Sequence, residues 1–127
     1  MRGTGKYRGQ RVDNGAWVYG DLIHFPATTA IGHPDKGGVY WEEYDVIPET
    51  VGEYTGIKDD YGRGQKIYEN NKVSRGGDMI YIVIWRKLKG QWWLREYAGE
   101  ELRGWSVPLM QAAEGYIEVI DIHEEKP

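Results

Sequence analysis

The sequence predicts a mainly β protein, an antiparallel barrel or roll with irregular additions and at most short helical turns, and three observations carry that expectation. No segment of about 11 residues sustains a 3.6-residue apolar period, so no long helix is expected. Short runs rich in Val, Ile, Tyr and Trp recur along the chain, divided by turn residues. The 18 glycines among 127 residues, twice the usual share of ~7%, supply those turns.

Taken in order, Asp13-Asn14-Gly15 is a turn signal that delivers the chain into Ala16-Trp17-Val18-Tyr19-Gly20-Asp21-Leu22-Ile23-His24. This β-branched and aromatic run reads as a strand, bent or bulged at Gly20. Phe25 to Gly38 holds two Pro, two Thr and three Gly and reads as a loop or long hairpin connection. Its end, Asp35-Lys36-Gly37-Gly38, is turn chemistry leading into a short strand, Val39-Tyr40-Trp41. Pro48 stops Val46-Ile47, and Thr50 to Tyr54 is expected as another strand or a brief capped turn. Gly56 to Gln65 reads as an exposed turn, followed by a short strand over Lys66-Ile67-Tyr68.

The clearest element is Asp78 to Lys89. Met79, Tyr81, Val83 and Trp85 fall on one face of a strand and Ile80, Ile82 and Ile84 on the other. Both faces are apolar, so the strand is expected in the middle of a sheet. Lys89-Gly90 then separates it from Gln91-Trp92-Trp93-Leu94-Arg95-Glu96-Tyr97, and so short a connection predicts antiparallel pairing. A turn through Gly99 to Gly104 leads to the strand Trp105-Ser106-Val107, which Pro108 limits. Leu109 to Glu114 fits one helical turn, and Tyr116 to His123 reads as the final strand. There is no repeat, low-complexity tract or linker, so residues 1–127 are expected to form one domain.

Composition narrows the function classes. A formal net charge of −4 argues against the broad basic footprint that drives non-specific attraction to nucleic acid or an anionic membrane. A local basic patch is still compatible with it: Arg2, Lys6, Arg8 and Arg11 precede the first acid, Asp13, whereas the end of the chain is acidic. The absence of cysteine removes disulfides, thiolate zinc sites and cysteine nucleophiles together. The basic, glycine-rich start has no apolar stretch of the kind that directs export, and no run approaches the ~20 apolar residues of a membrane span. A bacterial cytoplasm is the expected address, with no membrane contact.

Candidate catalytic chemistry is thin. Ser74 and Ser106 are the only serines, and neither sits in a glycine-flanked elbow. His24, His33 and Asp35 lack the paired spacing of a metal set and read as exposed loop residues. Gly62-Arg63-Gly64-Gln65-Lys66 lacks the spacing and following helix of a phosphate cradle, and adjacent Asp59 and Asp60 point apart in a turn rather than converging as an acid/base pair. No enzyme, no cofactor and no metal are expected.

Macromolecular binding fits better. Six Trp and ten Tyr against one Phe mean that most rings carry a polar handle suited to wet surfaces. Trp41, Trp92, Trp93 and Trp105 exceed what a β domain of this size readily hides, which predicts an interface, with a homo-oligomer or a host protein as partner. The alternative is a nucleic-acid surface in which Arg8, Arg11 and Lys66 meet phosphates while Trp17, Tyr19 and Tyr68 stack on bases.

Ile47-Pro48-Glu49-Thr50-Val51-Gly52-Glu53-Tyr54-Thr55-Gly56-Ile57-Lys58-Asp59-Asp60-Tyr61-Gly62 resembles the hallmark of the YopX family of phage and prophage proteins. Its signature positions here are Thr50, Val51, Gly52, Tyr54, Thr55, Gly56, Asp59 and Gly62. Gln10 to His24, Lys66-Ile67-Tyr68-Glu69 and Glu118 to Glu124 resemble further family segments, so the similarity spans most of the chain. Two departures stand out: Gly62-Arg63-Gly64-Gln65 is longer than expected, and Glu69-Asn70-Asn71-Lys72-Val73 replaces a glycine-aspartate turn. Asn tolerates the left-handed conformation that glycine would supply there. The resemblance implies an SH3-like β-barrel and names no activity.

Overall fold

A computed structural model of the chain describes residues 6–59 and 64–121. The chain forms two compact units, the first ending at Tyr54 and the second running from Thr55. The fold is mainly β, with two antiparallel sheets and one short α-helix among the described residues.

In the first unit the strands are β1 (Tyr7–Gln10), β2 (Trp17–His24), β3 (Thr29–Pro34), β4 (Trp41–Asp45) and the start of β5 (Gly52–Lys58), in the order β4-β3-β2-β1-β5. The Asp13-Asn14-Gly15 turn is as the sequence predicts: Ala16 N donates to the Asn14 side chain and Arg11 N to Ala16 O. Val18, Ile31 and Val46 form the small core, with Tyr7, Leu22, Tyr44 and Val51 packed around them.

Three expectations are corrected in this unit. Gly20 shows no register shift: it is the last residue of β2 to pair with β1, and Asp21 begins the pairing with β3. It is instead a point of close approach, where a Cβ would run into the Gly32 carbonyl of β3. The connection Phe25–Gly38 contains a whole strand, β3, whose Thr29-Ala30-Ile31 segment is half-buried to buried and pairs with β2 and β4 on either side. Finally β4 starts at Trp41 rather than Val39, since the Asp35 carboxylate accepts the Val39 and Tyr40 amides and holds both in the turn. Of the two readings of Thr50 to Tyr54 the strand is the one observed, as β5 from Gly52; the 3₁₀ turn before it covers Pro48–Thr50 and has no side-chain cap.

The second unit holds the rest of β5, which extends to Lys58 through a stretch expected to be turn, then β6 (Lys66–Tyr68), β7 (Lys72–Ser74), β8 (Ile80–Arg86), β9 (Gln91–Ala98), β10 (Glu101–Pro108), α1 (Leu109–Ala112) and β11 (Glu118–Val119). Five of them order as β10-β9-β8-β7-β11, with β8 in the middle as its two apolar faces predict. The β8–β9 hairpin pairs from Ile80↔Tyr97 to Arg86↔Gln91. The β9–β10 connection is tighter than expected, a turn at Gly99 (φ 58°) and Glu100 (φ 64°) that matches the twist of its strands. Asn70 adopts φ 69°, the left-handed conformation expected of it. Ile67, Val73, Val83, Leu94, Leu109, Ala112, Ile117 and Val119 form the core. Of the expected strand Tyr116–His123, the described residues form strand at Glu118–Val119, followed by an Ile120 amide bond to Lys72 O, and positions 122 and 123 lie outside the described residues.

Among the described residues, no strand pairing closes either sheet into a barrel, and no helix is long and apolar enough to cross a membrane.

Candidate functional site

The strand pairing of the second unit sorts its side chains by face. Val83 and Leu94, opposite one another, point into the core. By alternation the other face receives Ile80, Ile82, Ile84 and Arg86 from β8 and Trp93, Arg95 and Tyr97 from β9. On β10 Leu102 lies opposite Tyr97 and Trp105 opposite Arg95, while Lys72 of β7 lies opposite Ile82. Aromatic rings and cations therefore share one outer surface.

Their geometry is specific. Trp93 and Trp105 meet edge to face at 6.3 Å and 82°. The Arg86 guanidinium stands 4.3 Å from the Trp93 ring centre and 4.8 Å from that of Trp105. Arg95 stands 5.1 Å from Trp105 while its Nε donates to Arg103 O at 2.5 Å, and the Lys72 ammonium lies 5.0 Å from the Tyr97 ring. None of Arg86, Arg95 and Lys72 forms an ion pair among the described residues. Cation–π contacts at exposed sites contribute ~0.5–1 kcal/mol each, and fixing an arginine side chain costs ~2 kcal/mol of rotamer entropy. The stacks thus offset part of the ordering cost, and most guanidinium donors stay available. The Trp93 indole N–H is buried without an acceptor among the described residues, a cost of ~1–3 kcal/mol borne at the centre of this cluster.

The four tryptophans expected at an interface divide between several settings. Trp93 and Trp105 belong to this outer face. Trp92 packs against the core, with Trp85 edge-on to it at 5.1 Å. Trp41 lies in the first unit, 48% exposed, its ring over Gly32 and its N–H bonded to Glu43. Sequence reasoning missed Arg86, Arg95, Tyr97 and Lys72. Alternation alone places Arg86 in line with Ile80, Ile82 and Ile84, and the hairpin register would have brought it to Trp93.

The proposed nucleic-acid set is placed differently. Arg8 stacks on Trp17 at 4.2 Å, and Tyr19 is its cross-strand neighbour, but Arg8 is buried, at 3% exposure. Arg11 lies 4.2 Å from the Tyr44 ring and makes two hydrogen bonds to the Asp13 carboxylate, at 3.0 and 2.6 Å. That bond raises the pKa of Arg11 and lowers that of Asp13. Lys66 is exposed and Tyr68 buried, both in the second unit.

The signature residues hold the backbone. Thr50 Oγ1 accepts the Gln10 amide and donates to Ile47 O, Val51 packs on the first core, and Gly52 is buried opposite Arg8. Tyr54 N donates to Lys6 O. Thr55 Oγ1 donates to Ile67 O, and Gly56 takes φ +86° within β5. Asp59, fully buried, accepts the Gln65 and Val119 amides. Gly62 lies outside the described residues. A family profile described as YopX protein matches residues 6–124.

The chain belongs to the YopX family. No curated protein and no solved structure matches it. In this YopX chain several of the groups screened for catalysis take part in turn or strand-end contacts. Asp35 caps the β3–β4 turn, His33 Nδ1 lies 2.7 Å from Pro34 O and its Nε2 lies 3.9 Å from a Glu42 oxygen. Ser74 Oγ accepts the Gly76 amide. His24 ends β2, exposed, and Ser106 lies within β10. Burial, and then Glu42, raise the Tyr44 pKa; the hydrogen bond to Glu118 raises that of Tyr116. Of the phosphate-cradle candidate, residues 62 and 63 lie outside the described residues, as does Asp60.

Proposed function

We propose that this YopX protein is a non-enzymatic binding protein that works through protein–protein contacts, and that the contact surface is the outer face of the β10-β9-β8-β7-β11 sheet. One observation carries the reading: a single sheet face, opposite the core, concentrates Trp93, Trp105, Tyr97, Arg86 and Arg95 beside Ile80, Ile82 and Ile84. Trp, Tyr and Arg are the residue types that dominate the binding energy of protein interfaces. The SH3-like roll implied by the family resemblance, a phage or prophage origin and a cytoplasmic location belong to the same proposal. The short strands and tight hairpins support the first of these.

A nucleic-acid ligand is the second reading, favoured by Arg86, Arg95 and Lys72, which form no ion pair among the described residues. It is weaker here because both indoles already carry a guanidinium: Arg86 lies against both rings and Arg95 against Trp105. A base needs an open ring to stack on. The experiment places a photo-crosslinking amino acid at Ile84 of the full chain in bacterial cells, with the exposed Val12 as control. Adducts at position 84 that protease removes and nuclease does not are the expected result. Adducts removed by nuclease, or a position 84 as silent as position 12, would sink the proposal.

A further inference from the structure

Resting on the protein-contact reading, we infer that the occupant of this face is an acidic segment of a partner chain, its carboxylates meeting Arg86, Arg95 and Lys72 and its apolar side chains covering Ile80, Ile82 and Ile84. Three cations stand on the face without an ion pair among the described residues, and the one carboxylate that the strand register places there, Glu118 at the β11 margin, already accepts the Tyr116 hydroxyl at 2.9 Å. Arg86 is held by ring contacts and Arg95 by one bond from Nε, so the terminal guanidinium nitrogens are oriented yet lack carboxylate partners. That pre-organised fork suits bidentate carboxylates.

The same charges oppose the simplest self-assembly. A two-fold dimer through this face would bring the Arg86, Arg95 and Lys72 patches of two copies into one interface, and like charges brought together while water is removed oppose association. An uncharged apolar segment would cover the aliphatic row but bury the guanidiniums unpaired, at a cost of several-fold to many-fold in affinity. An acidic and apolar segment satisfies both halves of the surface.

The test is selection of random peptides displayed on phage against the immobilised full chain, wild type and the Arg86→Met/Arg95→Met variant, each first shown to be folded by circular dichroism. The expected result is enrichment of peptides rich in Asp and Glu interspersed with apolar residues, binding roughly tenfold or more weakly to the double variant and weakening with added salt. If that variant does not fold, Lys72→Gln takes its place, with a smaller loss of the same sign. Enriched peptides that are apolar without acids, or that bind the variant equally, overturn this inference and leave the protein-contact reading intact. No enrichment on wild type, together with nuclease-sensitive crosslinks at position 84, overturns both.

Discussion

Tyr116 and Glu118 show how a single hydrogen bond sets a titration. The phenol donates to the Glu118 carboxylate, and this contact is the first cause of its raised pKa. In a UV or NMR titration Tyr116 should ionise above the ordinary value of 10.0, and Glu118→Gln should return it most of the way. Because the folded form holds this proton more tightly, the stability it contributes is present below pH 10 and is lost as pH climbs through the folded value. Asp13 carries the opposite sign: its lowered pKa contributes stability above the ordinary 3.8, lost as pH falls through the folded value. Asp59 is a different case, a buried carboxylate whose two oxygens each take a backbone amide. Asp59→Asn turns an NH₂ group toward one of those amides, and urea unfolding should show a loss of about 1–3 kcal/mol. The sequence identified Asp59 as a turn residue but not as the acceptor for Val119, because that partner is 60 positions away.

At the scale of elements, the β8–β9 hairpin is where sequence and structure agree most closely. Its alternation, both-face apolarity and short connection all point to one arrangement, and local signals of that kind survive folding unchanged. Leu94, fully buried opposite Val83, should cost about 2–5 kcal/mol as Leu94→Ala in denaturant unfolding. Strand β3 was hidden because Gly32 and the prolines at either side resemble loop chemistry. Its glycine is there for contact: a Cβ on Gly32 would sit 2.6–2.8 Å from the Trp41 ring. Gly32→Ala should therefore displace that indole, shifting tryptophan fluorescence and destabilising the chain by about 1–3 kcal/mol. Asn70→Ala, forced to keep φ 69°, should cost about 1–2 kcal/mol, whereas Asn70→Gly should be nearly neutral.

For the whole molecule, hydrogen exchange is the appropriate map. Amides of β8 and β9, flanked by strands on both sides and anchored by Val83 and Leu94, should exchange slowest. Those of the edge strands β4 and β10 should exchange earlier: β4 carries exposed Glu42, Glu43 and Asp45, and β10 pairs with register shifts around Trp105. Equal protection across all four would contradict this reading of the sheets. By itself the sequence determined the β class, the main hairpin, the helical turn at Leu109 and the family, because these depend on residues close together in the chain. Only the tertiary structure decided that Arg8 is buried and that Arg86 and Arg95 stand with Trp93 and Trp105. Which cation meets which ring depends on register between β8, β9 and β10, and one residue of slip would turn every one of those side chains to the opposite face.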